Sequence, residues 1–269
     1  MRALIRCLAF LVIVVPPGAA QDLTAGVSVG VVKLSDTRSE QALSGVLAYQ
    51  AGWLSLYAIP AILHLSNTAT RSTVSSSGLG DLPLIAAASY TSPAPASPSV
   101  GASLAVVLPT GNASCGLGSG QAAAGVDVGA GVSPGRAHLW GDASRSITGV
   151  SSQSSLNAPK ATTLHLEAGY EVTPGWTWTG SVGVDVGTAD STHPLSRVIG
   201  LGVSHPLAGP LLLTVDGGHG LTTGSPQWVL MVGLGTAFAG SSPVTPTTPL
   251  RRIGTTFRTG TGSRTASCP

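Results

Sequence analysis

Residues 161–187 constrain the fold most, because apolar and polar residues alternate there in two runs separated by Thr173-Pro174-Gly175. Side chains of a β-strand point alternately to its two faces, so the alternation predicts a hairpin with one apolar and one polar face. Each arm has about 11 to 13 residues, whereas strands in soluble proteins average about 5 to 6. Arms of this length are typical of strands that cross a bilayer at a tilt.

The same alternation recurs about twelve times along the chain. Strands are expected at residues 23–34, 43–50, 53–65, 81–91, 99–109, 121–133, 135–146, 161–173, 176–187, 196–205, 210–220 and 227–238. This repetition favours an all-β fold, an antiparallel up-and-down transmembrane β-barrel of about 12 strands. The alternatives are the half-buried sheet of a soluble β-protein and a secreted, soluble adhesin. The repetition of the pattern disfavours the first. The second is disfavoured because rows of Val, Leu and Ala that large would aggregate in water.

The connections between the expected strands are alternately short and long. Short turns are expected at 51–52, 92–98, 134–135, 174–175 and 206–209, and longer loops rich in Ser, Thr and Gly at 35–42, 66–80, 110–120, 147–160, 188–195 and 221–226. Outer-membrane barrels are connected in this way, with turns in the periplasm and loops outside the cell.

The first 20 residues have the pattern of a cleaved signal peptide. Arg2 and Arg6 precede an apolar run at 8–15, and the small residues 18–20 predict cleavage before Gln21. Later residues include no apolar run of about 18 or more, so no transmembrane helix is expected. The sequence therefore predicts export, and the barrel pattern predicts the outer membrane of a Gram-negative bacterium.

The cleavage site and the last expected strand divide the chain into three parts. They are a signal peptide at 1–20, a barrel at 21–238 and a tail at 239–269. Barrels of this kind usually stop at a terminal aromatic, which here would be Phe238. The tail is rich in Thr, Ser, Pro and Arg and has no apolar period, which predicts disorder. There are two interpretations of the tail: it binds peptidoglycan or a partner, or it is an artefact of gene-end assignment. In this topology Cys115 lies outside and Cys268 in the periplasm, so they are not expected to pair.

Charge is unevenly distributed along the chain. Six of the 13 basic residues lie in the signal peptide or the tail, whereas all 11 acidic residues lie between 21 and 238. The barrel is therefore acidic, and only 9% of all residues are charged. This composition does not suit nucleic-acid binding. The expected partners are outer-membrane lipid, a small-molecule solute and the barrel-assembly machinery; no nucleic acid, cofactor or metal is expected.

Acidic and histidine side chains are predicted to face the lumen, because a charge facing lipid at the membrane midplane costs about 2–4 kcal/mol. The lumen-lining candidates are Asp127, His165, Glu167, Glu171, Asp185 and Asp216. Such a lining favours cations. The alternative is that these groups satisfy one another in a plugged or narrow lumen. Small inward residues such as Gly129, Gly131 and Gly183 would leave room for a pore.

Aromatic residues are few, at 4% of the chain, but most fall near the expected periplasmic ends of strands. They are predicted to form a girdle at the membrane interface, made of Tyr49, Trp53, Tyr90, Tyr170, Trp176, Trp178 and Phe238.

Three short glycine-rich motifs carry a resemblance to a known family. They are GLGD at 78–81, LPTGN at 108–112 and GLGSG at 116–120, followed by a last hairpin that includes residues 217–221 and 224–228. Together they resemble the outer-membrane transporter-like proteins of the MetA-pathway of phenol degradation. The resemblance implies an outer-membrane β-barrel that passes small, often aromatic, molecules, and it implies no catalytic residues.

One enzymatic alternative remains open. The segment at 64–67, HLSN, is similar to the HxSN segment of outer-membrane phospholipase, also a twelve-stranded barrel. His64 and Ser66 would share one face of a strand, where the histidine could activate the hydroxyl for lipid hydrolysis. No orienting third group is evident. A non-enzymatic channel or transporter for passive passage of small molecules is therefore the main hypothesis, and a structural barrel without an open pore is a further alternative.

Overall fold

A computed structural model of the protein describes residues 21–69, 72–148, 162–187, 195–208 and 211–236. The predicted signal peptide at 1–20, the predicted tail at 239–269 and Phe238 lie outside these ranges.

The described residues form fourteen strand segments and one short 3-10 helix. The strands are β1 (Gln21–Ser35), β2 (Arg38–Ala51), β3 (Leu54–Ala58), β4 (Ala61–Ala69), β5 (Ser72–Leu79), β6 (Leu82–Thr91), β7 (Ser99–Leu108), β8 (Ala123–Val132), β9 (Ala137–Thr148), β10 (Thr162–Thr173), β11 (Trp176–Val186), β12 (Arg197–Pro206), β13 (Leu211–Gly220) and β14 (Trp228–Thr236). The 3-10 helix, Ala113–Cys115, lies between β7 and β8.

Segments β3 and β4 together form one long strand, and so do β5 and β6. The β3–β4 break falls at residues 59–60, where the N–H of Gly45 still donates to the carbonyl oxygen of Pro60 at 2.8 Å. The β5–β6 break falls at residues 80–81, where the N–H of Gly80 donates to the carbonyl oxygen of Ala61 at 2.9 Å. Hydrogen bonding therefore continues along the ladder on both sides of each break, and the fourteen segments make twelve barrel strands.

The sheet closes on itself. Strand β1 pairs antiparallel with β2 on one side and with β14 on the other, so that Val29 lies opposite both Leu43 and Val232. All other neighbours are antiparallel as well. The twelve-strand, all-β antiparallel barrel predicted from the alternation is confirmed. Closure leaves no unpaired edge, which a single chain crossing a membrane requires.

Two of the long loops predicted from sequence are largely strand. The first connection, expected at 35–42, is the two-residue turn 36–37, and most of the expected loop at 66–80 is β5. Asn67 and Val74 face each other across the β4–β5 ladder. We attribute the error to composition, because polar side chains can continue a strand beyond the apolar band that faces lipid.

The ends of the barrel are distinguished by their connections. The loop end carries the connections 36–37, 109–122 and 221–227; the turn end carries 52–53, 92–98, 133–136 and 174–175. Among the described residues, no helix has the length and apolarity needed to cross a membrane.

Burial follows the period-two pattern. On β10, Leu164 and Leu166 are about half exposed, at 47% and 48%. Glu167, which follows Leu166 and points to the other face, is 3% exposed. Large aliphatic side chains are likewise exposed on β1, β2, β8, β12 and β14. We call the face with these exposed aliphatic side chains the outward face and the opposite one the inner wall.

Candidate functional site: the inner wall of the barrel

Polar side chains on β9 and β10 form two bonded groups on the inner wall. The indole N–H of Trp140 donates to Oδ2 of Asp142 at 3.0 Å, and Nδ1 of His165 lies 3.1 Å from the same oxygen. Nε2 of His138 lies 3.4 Å from Oε1 of Glu167. We call these five residues the β9–β10 cluster. It combines two carboxylates with two imidazoles, which suits contact with cations and hydrogen-bonding solutes.

Two members of this cluster, His165 and Glu167, are among the lumen-lining candidates predicted from the sequence. The other three lie on the expected strand 135–146, whose alternation is weak because the outward positions include Gly141 and Arg145. The spacing by two of His138, Trp140 and Asp142 is the signal that could have placed them on one face.

Glycines on neighbouring strands make room for the larger members of the cluster. A Cβ atom added at Gly129 or Gly131 would come within 2.6 or 2.7 Å of the indole ring of Trp140. A Cβ atom at Gly169 would overlap the ring of His138. The expectation that Gly129 and Gly131 leave room for a pore is therefore wrong, because the indole ring fills that space. Gly183 has no atom within 4 Å of the corresponding position.

Two predicted lumen residues lie on the inner wall away from the cluster. Asp127 on β8 is opposite Ser103 of β7 and Ser144 of β9. Asp216 on β13 is opposite Gly202 of β12 and Met231 of β14. Both residues interact with other residues of the chain. Asp127 thus lies between two serines, whereas Asp216 lies between a glycine and a methionine.

The remaining two predicted lumen residues stabilise the ends of the barrel. Oε1 of Glu171 accepts a hydrogen bond from the N–H of Gly175 at 2.7 Å, in the turn between β10 and β11. At the loop end, Oδ1 of Asp185 accepts from the hydroxyl of Thr163 at 2.7 Å and Oδ2 from the N–H of Ser196 at 3.0 Å. Their local hydrogen bonds give Glu171 and Asp185 a structural role.

An apolar patch lies on the opposite side of the inner wall. Tyr57 of β3 packs against Val46 and Ala48 of β2, and also against a second set of buried residues. That second set is Ile59, Ile85 and Ala105. The inner wall therefore has an acidic, histidine-containing side on β8–β13 and an apolar patch around Tyr57 on β2, β3, β6 and β7. Arg38 and Glu40 lie near the loop end of β2.

Basic side chains of the described residues lie at the ends of strands, in a turn or on the outward face. They are Lys33, Arg38, Arg136, Arg145 and Arg197. The middle of the inner wall thus carries carboxylates and imidazoles but no lysine or arginine from the described part of the chain.

The connection 109–122 folds onto the inner wall at the loop end. Asp81 accepts from the N–H of Gly111 at 3.0 Å and from the N–H and hydroxyl of Ser119 at 2.7 and 2.8 Å. The hydroxyl of Ser76 on β5 donates to the carbonyl oxygen of Cys115 at 2.8 Å, and Leu117 is buried. The three motifs noted in the sequence therefore meet in one structure around the carboxylate of Asp81.

Cys115, at the end of the 3-10 helix in this connection, is disulfide-bonded. The chain has three cysteines, and the other two, Cys7 and Cys268, lie outside the described residues.

The aromatic residues predicted as a girdle lie near the turn end. Trp53, Tyr90, Tyr170, Trp176 and Trp178 are each between 42% and 64% exposed, and Tyr49 is half-buried. The ring of Trp176 stacks on His205 with centroids 4.2 Å apart, and the guanidinium of Arg136 lies 6.0 Å from the centre of the Tyr170 ring. Exposed rings with polar neighbours suit a membrane interface.

His64 and Ser66 do not pair with each other. Nδ1 of His64 lies 2.6 Å from the hydroxyl oxygen of Ser77, the residue opposite it on β5. No hydrogen bond joins His64 to Ser66 in the described structure, so the base and nucleophile of the hydrolase alternative are not in contact. No group of three or more potential metal ligands occurs within the described ranges.

Two solved structures that share this architecture are an outer membrane channel and a porin. The COG4313 outer membrane channel from Pseudomonas putida F1 matches with a TM-score of 0.56 and 18% sequence identity, covering 82% of this chain and 99% of that one. The KdgM porin matches with a TM-score of 0.51 and 11% identity, covering 80% and 99%. This chain shares the β-barrel fold of these two outer-membrane proteins.

Sequence comparisons do not assign the chain to a family. No protein-family model matches the chain, and neither does any curated protein sequence. The resemblance to the MetA-pathway family is thus not supported by a family match. The likeness to the COG4313 channel and the KdgM porin, at 18% and 11% identity, is a likeness of fold.

Proposed function

We propose that this protein is an outer-membrane channel that conducts small solutes passively and prefers cations. The observation that carries the proposal is a closed twelve-strand barrel with aliphatic side chains outside and carboxylates on its inner wall. An exposed aliphatic band requires lipid around it, and carboxylates along a pore favour cations. The predicted signal peptide, which would export the chain, is consistent with this location.

The two-sided inner wall indicates the class of solute. Asp142 and Glu167 lie on one side with two imidazoles, and Tyr57 lies with aliphatic residues on the other. Small molecules that combine a cationic or hydrogen-bonding group with an apolar or aromatic part can contact both sides at once. The KdgM porin has been solved with oligogalacturonate, whose carboxylates the acidic wall of this chain would repel. We therefore propose small amphiphilic cations rather than acidic oligosaccharides as solutes.

We propose no enzymatic activity. Lipid hydrolysis would need a base in contact with its nucleophile, whereas His64 is hydrogen-bonded to Ser77.

The test is conductance in planar lipid bilayers, after the refolded chain has shown heat-modifiable mobility on a gel. The full chain from residue 21 and a chain ending at residue 238 are compared in parallel. We expect discrete current steps that favour potassium over chloride. Replacing Asp127 and Asp216 with asparagine should move the permeability ratio towards one, whereas Asp36→Asn in the exposed 36–37 turn should leave it unchanged. Failure of both chains to conduct, despite heat-modifiable folding, would contradict the channel and support the structural barrel.

A further inference from the structure

We propose that the outward face of the barrel, at its loop end, binds the phosphate groups of lipopolysaccharide through Arg145 of β9 and Arg197 of β12. The proposal goes beyond the passage of solutes, because it assigns a lipid partner to the outside of the barrel. It rests on the outer-membrane location in the proposed function and not on an open pore.

The two arginines point away from the inner wall. Arg145 shares its face of β9 with Ile147, and Arg197 shares its face of β12 with Ile199 and Leu201. All three aliphatic side chains are exposed, and so are both arginines. Neither arginine side chain forms a hydrogen bond or an ion pair with another described residue. Within the described structure, both charges are therefore open to a group outside the barrel.

The pairing of the strands places the two arginines on one stretch of the outward face. Arg145 lies opposite Thr162 of β10, which lies opposite Val186 of β11. Arg197 lies opposite Val184, one step of two residues from Val186. The two arginines are three strands apart, which is about 14 Å at the usual spacing of strands. Long side chains at this separation can contact a molecule that carries two phosphates, and lipopolysaccharide carries one on each of the two sugars of its lipid anchor.

Aliphatic side chains continue from the arginines towards the middle of the strands. Leu164 and Leu166 of β10 and Leu201 of β12 are exposed there. Acyl chains can cover these side chains while the phosphates form charge-assisted hydrogen bonds with the guanidinium groups. This surface therefore matches an amphipathic lipid with an anionic head group rather than free phosphate.

The turn end of the outward face is different. The one described basic residue at that end is Arg136, whose Nε lies 3.9 Å from Oε2 of Glu171. Exposed aromatic rings, such as those of Trp176 and Trp178, lie near it. In outer-membrane barrels the long loops face the cell exterior, and lipopolysaccharide is in the exterior leaflet. The arginines without a described partner are thus at the end where this lipid is found.

Acidic side chains do not compete for these arginines on the outward face. Among the strand residues whose side chains the structure describes, the acidic ones, such as Asp142 and Glu167, are at inner-wall positions. Lys33 of β1, three strands beyond Arg197, also faces outward at the loop end. Its Nζ donates to the carbonyl oxygen of Asp36 at 3.0 Å. Lys33 therefore extends the positive charge of the outward face.

Titration with lipid tests the proposal. The refolded chain in neutral detergent is titrated with diphosphorylated lipid A, and the bound fraction is measured by native mass spectrometry. Arg145→Gln and Arg197→Gln should each weaken binding about fivefold, and the double variant about 25-fold, because a basic residue at an anionic membrane surface contributes about that factor. Arg136→Gln, at the turn end, removes the same charge and should bind like the unaltered chain.

A second titration uses the unaltered chain and does not depend on the folding of a variant. Lipid A without its two phosphates should bind as weakly to the unaltered chain as the diphosphorylated form binds to the double variant. Heat-modifiable mobility shows beforehand that each variant is folded.

Three results would overturn the proposal. One is equal binding of the two forms of lipid A by the unaltered chain, and another is equal weakening by Arg136→Gln and Arg145→Gln. The third is displacement of lipid A by inorganic phosphate at the same concentration, which would show that phosphate alone is the ligand. A chain that binds lipid A as expected but does not conduct would refute the channel and support this proposal. A conducting chain that binds both forms equally would do the reverse.

Discussion

The carboxylate of Asp81 and the backbone N–H of Ser119 are joined by a 2.7 Å hydrogen bond, although 38 positions separate the two residues in the sequence. Asp81 lies at the break between β5 and β6, and Ser119 lies in the connection that carries Cys115. With the bonds from Gly111 and from the Ser119 hydroxyl, this carboxylate fixes the 109–122 connection against the inner wall.

Replacing Asp81 with alanine should therefore loosen the loop end without opening the barrel. Hydrogen bonds to a charged group contribute about 1.5–3 kcal/mol each, and the two backbone donors would lose their partner. We expect the urea midpoint of unfolding from lipid vesicles to fall. Thr91→Ala, at the exposed end of β6 and without a side-chain hydrogen bond in the described structure, is the control. A midpoint for Asp81→Ala equal to that control would show that the carboxylate does not hold the connection.

Gly131 and Gly183 form a matched pair on the inner wall. A Cβ atom at Gly131 would lie 2.7 Å from the Trp140 ring and 2.5 Å from the carbonyl oxygen of Leu139, whereas at Gly183 it would meet nothing within 4 Å. Gly131→Ala should destabilise the barrel by about 1–3 kcal/mol through overpacking, and Gly183→Ala should leave it nearly unchanged. Unfolding free energies in urea measure the difference. Equal values for the two variants would show that the Trp140 ring does not pack against Gly131.

Arginine substitutions at Leu166 and Leu221 distinguish a membrane barrel from a soluble one. Both side chains are about half exposed, at 48% and 55%, but Leu166 is in the middle of β10 and Leu221 is in the loop-end connection 221–227. Leu166→Arg should cost about 2–4 kcal/mol in a bilayer, as for a cation at the midplane, and should lower the yield of folded barrel in vesicles. Leu221→Arg should fold like the unaltered chain. A soluble protein would tolerate both substitutions alike.

Tyr57 is expected to favour aromatic solutes over aliphatic ones of equal charge. Its ring lies in the apolar patch of the wall, and an aromatic contact contributes about 0.5–1.5 kcal/mol, a factor of about two to ten. In the chain ending at 238, Tyr57→Ser should reduce the permeability ratio of benzylammonium to ethylammonium by such a factor. Leu56→Ser, on the opposite face of the same strand, is the control. An unchanged permeability ratio in Tyr57→Ser would show that Tyr57 does not favour aromatic solutes.

Much of the architecture could be predicted because it depends on local order. Leu164, Leu166 and Tyr170 share a face by spacing alone, so all twelve barrel strands followed from period-two alternation. The predicted loops at 35–42 and 66–80 were wrong because polar residues such as Ser75 and Ser77 can extend a strand beyond the lipid-facing band. The sites of Asp127, His165 and Glu167 on the inner wall follow from the same alternation, but their partners do not.

By itself, then, the sequence determined which side chains share a face, how many strands alternate and where the charge lies along the chain. Only the tertiary structure decided that Asp142 joins His165 to Trp140, that the Trp140 ring covers Gly129 and Gly131, and that Asp81 holds the loop with Cys115 against the wall. The physical reason is that alternation is a property of neighbours in the chain. Contacts across a sheet depend instead on register and closure, which the pairing of every strand in the barrel sets together.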